Sequence, residues 1–167
     1  MKAFTAPKLA LATAIAATVG ATAPAMAQLE EVLVTAQKRV QSLQDVPASV
    51  SVVSGESIHD FVGSGENIRA LAGRVPSLQI ESSNGRQSPR FYIRGLGNTD
   101  FDLNASQPVS LVYDGVVLEN PILKGYPMFD LERVEVLRGP QGTLFGRNTP
   151  AGIVSFNSRR PTYETGG

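Results

Sequence analysis

The stretch LERVEVLRGPQGTLFG, residues 131–146, decides the fold of this chain. Val134–Arg138 is rich in β-branched and apolar residues, a composition that favours a strand. Gly139-Pro140 ends this strand, because proline has no backbone N–H to donate to a neighbouring strand. Gly142–Asn148 is interrupted by glycine and predicts a turn or a short helix. We therefore expect a sheet strand followed directly by a tight change of direction.

Further short strands are predicted on both sides of this stretch. Val109–Tyr113 and Val116–Leu118 flank Asp114-Gly115, a residue pair that strongly favours a hairpin turn. Ile153–Asn157 predicts a final strand after the turn region. Upstream strands are predicted at Leu78–Glu81, at Phe91–Arg94, and where Val46, Ala48, Val50 and Val52 alternate with other residues.

Two short helices are predicted among the early strands. Ser54 is the predicted N-cap of the first, and Asn67 or Ser64 is that of the second, which Pro76 ends. Pro127–Leu131 predicts one further helical turn. Mixed short strands with a few short helices predict an α+β fold, a small mixed-sheet domain with long loops. The apolar residues at helical spacing are Ile58, Phe61 and Val62 in the first helix and Ile68, Leu71, Ala72 and Val75 in the second.

The composition removes most catalytic classes. The 167 residues include 15 Lys+Arg and 15 Asp+Glu, and this balance argues against a nucleic-acid binder, which usually carries a basic excess. The absence of cysteine excludes disulfides and a cysteine nucleophile. The single histidine, His59, cannot form a multi-histidine zinc site. We therefore predict that the protein is not an enzyme.

Three motifs approach known ligand sites and miss them. Gly95-Leu96-Gly97 begins like a dinucleotide loop but lacks the third glycine. Residues 139–149 resemble a phosphate loop, but Gly146-Arg147-Asn148 stands where that loop needs lysine and a hydroxyl for the phosphates and Mg²⁺. Asp100–Asn104 has the spacing of an EF-hand start, yet Ala105 replaces the required glycine. We predict a polar loop there, with a weak Ca²⁺ contact as the alternative, and no resident cofactor.

The first 27 residues have the pattern of an export signal. Two lysines give a basic start, Leu9–Gly20 is uncharged and apolar, and Ala25-Met26-Ala27 is a small-x-small cleavage site. A membrane anchor would need about 20 predominantly apolar residues, and the strongly apolar run here is shorter. We predict cleavage between Ala27 and Gln28 and export of the mature chain.

Glu31–Ala36 is a short segment with strand character ahead of the domain. It contains a run of apolar and β-branched residues, with acid before the run and base after it. This strand would either belong to the domain's own sheet or be exposed and pair with the sheet edge of another protein. The polar stretch Gln41–Asp45 predicts a tether, which favours the second interpretation.

Taken in order, these segments resemble the N-terminal part of a TonB-dependent outer-membrane receptor. Single blocks are moderately specific, whereas the ordered set covers essentially the whole chain and is highly specific. Glu31–Arg39 is similar to the TonB box of the family, and Gln44–Val53 to the opening of its plug domain. The later blocks that resemble the plug are Ile93-Arg94-Gly95, Val112–Val116, Leu131–Gly146, Asn148–Gly152 and Asn157–Pro161.

The resemblance implies a plug that blocks the lumen of a 22-stranded β-barrel until a nutrient binds outside. The nutrient would be a ferric siderophore, haem, vitamin B12 or a similar compound. The TonB box would then pair with the periplasmic domain of TonB, which the ExbB–ExbD motor energises. Arg94 and Arg138 resemble plug arginines that pair with barrel acids, and bonding to local turn carbonyls is the alternative. The TonB-binding residues implied are Glu31, Val32, Leu33, Val34, Thr35 and Ala36.

Two polar loops, residues 82–89 and 97–106, are the candidate apical loops for ligand contact. The organisation implied is a signal peptide at 1–27, a TonB box and flexible linker at 28–44, a plug domain at 45–160, and a stub at 161–167. The residues proposed to contact the ligand are Arg86, Gln87, Asn98, Asp100, Asp102 and Asn104.

The barrel of the family has no counterpart in this sequence. A membrane-spanning strand takes about 9–11 residues, and six residues follow Pro161. We therefore expect a truncated receptor that cannot transport alone and stays in the periplasm, whereas a full-length member resides in the outer membrane. The alternative is a free-standing periplasmic module that binds TonB or a small ligand.

Overall fold

A computed structural model gives the fold of residues 31–35, 37–62, 67–100, 102–125 and 127–163. Short strands and a few short helices alternate in this part of the chain, and the predicted α+β fold is confirmed. The strands are β1 (Leu33–Val34), β2 (Gln41–Ser42), β3 (Ser49–Ser54), β4 (Leu78–Glu81), β5 (Arg90–Ile93), β6 (Val109–Tyr113), β7 (Val116–Leu118), β8 (Leu131–Arg138) and β9 (Gly152–Ser158). The helices are α1 (Gly55–Val62), α2 (Gly142–Phe145) and three 3-10 turns, Leu43–Asp45, Ile68–Gly73 and Leu123–Gly125.

Five strands form the central sheet, in the order β3-β8-β9-β6-β7. Within it β6 and β9 are parallel and the other neighbours are antiparallel. A parallel pair needs a long connection, and the chain between β6 and β9 supplies it through β7, β8 and α2. Asp114 and Gly115 join β6 to β7 with φ values of 45° and 83°, the conformation expected of a tight hairpin turn. The remaining strands form two ribbons, β1-β2 and β4-β5.

Apolar side chains cover both faces of the central sheet. Because side chains alternate along a strand, Val136 of β8 enters the cluster on one face and Leu137 enters the cluster on the other. The first face carries the larger core, which includes α1 and the 3-10 turn Ile68–Gly73. We call the other side of the sheet the second face; its buried apolar residues are Val34, Val46, Val112, Leu137, Phe145 and Ile153. Part of the cover on the second face is therefore the N-terminal segment.

The two predicted helices both appear, one of them with a different geometry. The Ser57 N–H donates to Ser54 Oγ at 3.3 Å, which confirms the N-cap of α1. Asn67 Oδ1 caps the second helix by accepting the Arg69 N–H at 2.9 Å, but this helix is a 3-10 turn. Its buried residues lie three apart, a spacing that suits three residues per turn. The side chains of Phe61 and Val62 and the predicted break at 63–65 lie outside the described residues.

The helical turn predicted at Pro127–Leu131 is wrong. Leu131 instead begins β8 and pairs with Ser158 of β9, so the residue is part of the central sheet. The helical turn in this region lies earlier, at Leu123–Gly125. None of the helices in the described ranges is long and apolar enough to cross a membrane.

Lys124 is a lysine buried in that early turn. Its side chain is 1% exposed, and its Nζ donates to the Val109 carbonyl oxygen at 3.0 Å. Burial lowers the pKa of Lys124 to about 8, although the negative charge of Glu119 opposes the shift. The ammonium therefore anchors the connection after β7 to the start of β6 at an electrostatic cost.

We expect Gly55→Ala to destabilise the domain. A Cβ at Gly55 would lie 2.4 Å from the Leu131 carbonyl oxygen and 2.7 Å from that of Glu132, because α1 packs directly on β8. The free energy of unfolding, measured with urea, should fall by about 1–3 kcal/mol. The matched control is Gly73→Ala, where nothing lies within 4 Å of an added Cβ. Equal stabilities of the two variants would contradict the close packing.

Lys124 should make stability depend on pH. Below pH 8 the lysine is charged in both states, because its pKa is about 8 when folded and ordinarily 10.5. Between these values the unfolded chain holds the proton that the folded protein has released, so stability rises with pH, by about 3 kcal/mol at most. Urea unfolding from pH 7.5 to 10.5 measures this rise. Lys124→Met should flatten the curve, and an unchanged slope would show that another group is responsible.

Candidate functional site

The Glu31–Ala36 segment lies against the second face of the central sheet. Leu33 and Val34 form β1, and their partners in β2 are Ser42 and Gln41. Val34 is fully buried, whereas Leu33 is 48% exposed. The segment is thus neither a strand of the central sheet nor a free strand, because it belongs to a small ribbon docked on the domain. Ala36 lies outside the described residues.

The stretch Gln41–Asp45 holds this segment in place. It forms β2 and a 3-10 turn, so the prediction of a tether is wrong. The Leu43 N–H donates to the Val32 carbonyl oxygen at 2.9 Å, and the Leu43 side chain packs against the cluster that contains Val34. Polar side chains suggested a tether, but the pairing uses backbone groups, which are the same in every residue except proline.

A buried carboxylate receives the end of the docked segment. Glu135 lies in β8 on the second face and is 0% exposed. Its two oxygens accept the Thr35 N–H at 2.9 and 3.1 Å, and Oε1 accepts the Thr35 hydroxyl at 3.0 Å. Arg133 Nε donates to Oε1 at 2.7 Å, and Asn157 Nδ2 donates at 3.4 Å. One cation and several neutral donors therefore stabilise the charge of Glu135.

An open groove of about 770 Å³ runs beside the docked segment. Leu33 and Thr35 line one part of it, so the segment can be reached from the solvent along one side. Lys38 and Phe145 also line the groove, and Lys38 Nζ lies over the Phe145 ring at 5.2 Å from its centroid. The charged residues on the groove wall are Lys38, Arg39, Asp114, Glu132, Arg133, Arg159 and Arg160.

Arg94 and Arg138, the candidates for barrel contact, lie near each other but differ in their partners. The Arg138 guanidinium donates to the Pro76 carbonyl oxygen at 3.0 and 3.1 Å and to the hydroxyls of Ser49 and Ser51. Burial lowers the pKa of Arg138, and the positive charge of Arg94 lowers it further. Arg94 occupies an exposed turn with φ of 53°, and its guanidinium makes no hydrogen bond or ion pair within the described ranges.

The two candidate ligand loops meet at one small cavity. Asp100 and Asp102 line it from one loop, and Ser83 and Asn84 line it from the other. Gln107 also lines this cavity; it is 6% exposed, and its Oε1 has no hydrogen-bond partner in the part of the chain that the structure describes. The other candidates, Arg86, Gln87, Asn98 and Asn104, lie on the same two loops but do not line the cavity.

Successive side-chain turns shape the second of these loops. Asn98, Asp100 and Asp102 each accept, through Oδ1, the N–H two residues ahead, every time at 2.9 Å. The backbone therefore occupies one acceptor of each side chain, which is typical of a structured polar loop. The described residues contain no group of three or more His, Cys, Asp or Glu side chains that would hold a metal ion.

Glu135 is the residue of this site that sequence reasoning missed. The pattern around β8 predicts a strand but does not show which of its faces is covered. The available signal is the pair Arg133 and Glu135, two apart and therefore on the same face of one strand. Gln107 was missed as well, because a single glutamine in a loop carries no pattern.

Comparison with known proteins gives matches to one family. The chain matches the family described as TonB-dependent Receptor Plug Domain over residues 42–153. It is 32% identical over 131 residues to the vitamin B12 transporter BtuB of Vibrio vulnificus, covering 75% of this chain and 20% of that protein. It is also 32% identical over 127 residues to the ferrioxamine B receptor of Salmonella typhimurium, covering 74% of this chain and 17% of that protein.

A solved structure agrees with the sequence matches. The ferric yersiniabactin uptake receptor FyuA from Yersinia pestis superimposes with a TM-score of 0.60 at 29% identity, covering 68% of this chain and 17% of that one. This chain spans about a fifth of the length of the curated relatives it matches. The family match begins at Ser42, within β2, and it ends within β9, so the docked strand β1 lies ahead of the matched residues. This chain therefore belongs to the TonB-dependent receptor plug domain family, a family of transport receptors rather than of enzymes.

Proposed function

We propose that this chain is the plug and TonB box of an outer-membrane receptor that takes up a scarce nutrient. Relatives named for vitamin B12, ferrioxamine B and ferric yersiniabactin support a cobalamin or a ferric siderophore as the nutrient class. The observation that carries the proposal is the short strand Leu33–Val34, which lies ahead of the residues matched to the plug family and pairs with the strand in which that match begins. A partner that pulls on the plug needs a strand that can detach from it, and Leu33–Val34 is held by only two residue pairs.

The proposed partner of this strand is the periplasmic domain of TonB. Leu33–Val34 would leave β2 and pair with a sheet edge of TonB, where backbone hydrogen bonds supply the affinity. The present ladder spans two residue pairs, and a two-stranded ribbon of this size is marginal without packing. Val32 and Leu33 are 42% and 48% exposed, so their apolar side chains are accessible to a partner before the strand detaches.

The same proposal assigns a barrel contact to Arg94 and a nutrient contact to the cavity between the two polar loops. Arg94 is the better candidate to meet an acid of the surrounding β-barrel, because local acceptors already occupy the guanidinium of Arg138. The cavity shared by the two polar loops is the candidate contact with the nutrient, with Asp100 and Asp102 on its wall. The predicted export signal and the family match support a location of the complete receptor in the outer membrane, and we propose that its TonB box lies on the periplasmic side.

A peptide of residues 28–44 tests the pairing with TonB. We expect it to bind the TonB periplasmic domain, and we expect Val34→Pro to weaken binding at least tenfold, because proline removes an N–H from the ladder. Isothermal titration calorimetry measures both affinities, and an unfolded plug cannot affect the result because the peptide lacks the plug. Val34→Thr is the control, since threonine keeps the N–H and the branched side chain. Equal binding of the proline peptide would exclude strand addition.

The two arginines should differ in their effect on the isolated chain. Arg138→Lys should lower the free energy of unfolding by about 1–2 kcal/mol, because lysine cannot reproduce the bonds to Pro76 and the two serines. Arg94→Lys should change it by less than about 0.5 kcal/mol, as expected for an exposed residue. Urea unfolding measures both. A large loss for Arg94→Lys would mean that Arg94 supports the fold instead of facing a partner.

A further inference from the structure

Three kinds of contact hold the docked segment. The β1-β2 ladder supplies two residue pairs, and the Val34 side chain enters the apolar cluster of the second face. The third contact is polar: Thr35 gives both its N–H and its hydroxyl to the Glu135 carboxylate. The ladder, the valine and the Thr35 N–H would suit many apolar strands, whereas the hydroxyl bond to Glu135 requires serine or threonine at position 35. The carboxylate is therefore the selective part of the docking site.

Glu135 needs these donors because it lies out of contact with solvent. A buried carboxylate is stable only when hydrogen bonds and an opposite charge replace the water that it has lost. Arg133 supplies the charge through Nε, and Thr35 supplies two of the remaining donors. If the segment leaves, Glu135 loses the bonds to Thr35 but keeps Arg133 and Asn157. Release of the segment therefore costs the hydrogen bonds of Thr35 to Glu135, but the negative charge of Glu135 keeps Arg133 as its partner.

The docked state occupies backbone groups that the proposed pairing with TonB would also need. The Val32 carbonyl accepts from Leu43, the Thr35 carbonyl accepts from Lys38, and the Thr35 N–H is bound to Glu135. A strand added to another sheet would need such groups free. Where the binding-competent state is only partly populated, the apparent affinity falls in proportion to that fraction. Docking on the plug thus lowers the affinity of the whole chain for TonB.

We propose that Glu135 is the latch that sets how often the TonB box is released. The proposal rests on the proposed function, and it adds the positioning residue that controls access to the box. Glu135 acts through Thr35. Its carboxylate binds the end of the segment, and this contact keeps the rest of β1 docked on the plug. The hydrogen-bond partners of Glu135 in this role are Thr35, on the segment, and Arg133, on β8.

The test compares Glu135→Gln with Glu132→Gln in the full chain. Glutamine at 135 keeps the shape of the side chain but removes the charge and one acceptor. Glu132 is a matched control, because it also pairs with Arg133 on the same strand but does not contact Thr35. We expect amide hydrogen exchange at Leu33–Thr35 to accelerate roughly tenfold in Glu135→Gln, since charged hydrogen bonds are stronger than neutral ones. Glu132→Gln should leave the exchange unchanged.

Binding to the TonB periplasmic domain is the second readout. The affinity of Glu135→Gln should rise by about the same factor and should not exceed that of the peptide of residues 28–44, which has no latch. If Glu135→Gln does not fold, Thr35→Val replaces it in the exchange measurement, because it removes the hydroxyl without touching the central sheet. For this variant, faster exchange at Leu33 and Val34 is the expected result.

The outcomes separate the latch from the proposed function. Unchanged amide exchange in Glu135→Gln, or in Thr35→Val where it replaces that variant, would show that Glu135 does not hold the segment. Faster exchange with unchanged affinity, while the peptide binds TonB, would overturn the competition between docking and TonB. If the peptide does not bind TonB at all, the proposed function fails, and the exchange data still show whether Glu135 holds the segment.

Discussion

The carboxylate of Glu135, buried on the second face of the central sheet, is the constraint around which the N-terminal part of this molecule is arranged. A charge without solvent must find donors inside the protein. Arg133 provides one from the same strand, and Thr35 provides two from a segment 100 residues earlier in the chain. The first described residues are thereby joined to the middle of the longest strand. Without this contact, the ladder of two residue pairs and the apolar packing of Val34 and Leu43 would have to keep the ribbon on the domain.

The sheet itself explains why such a segment is needed. Its five strands carry apolar side chains on both faces, so each face requires a cover. On the first face, α1 and a 3-10 turn belong permanently to the core. On the second face, the cover includes Val34, which comes from the same segment that we propose TonB pulls. Under this proposal one stretch of chain completes the fold and also binds a partner, and its attachment through a few contacts suits both roles.

Local sequence patterns predicted most of the central sheet. The bounds of β4, β6 and β7 agree with those predicted, and β8 and β9 differ from theirs by a few residues. These elements succeed because the signals are local: β-branched runs, and a hairpin pair with positive φ at Asp114 and Gly115. The failures have a common cause. Gln41 and Ser42 pair with β1, and Leu131 pairs with Ser158 of β9, in each case through backbone groups, and such pairing leaves no mark in the side chains of the segment itself.

The sequence alone determined the family, the order of the strands along the chain, and the two polar loops, because each depends on residues that are neighbours in the chain. Only the tertiary structure brought Asp100 and Asp102 to the same cavity as Ser83 and Asn84, and placed Gln107 beside them. It also determined that Glu135 is buried and that Thr35 is its partner. Burial of a charged residue depends on what covers a strand, and here that cover comes from the far end of the sequence. The spacing of Arg133 and Glu135 within β8 shows that they share a face, but it does not show that this face is covered.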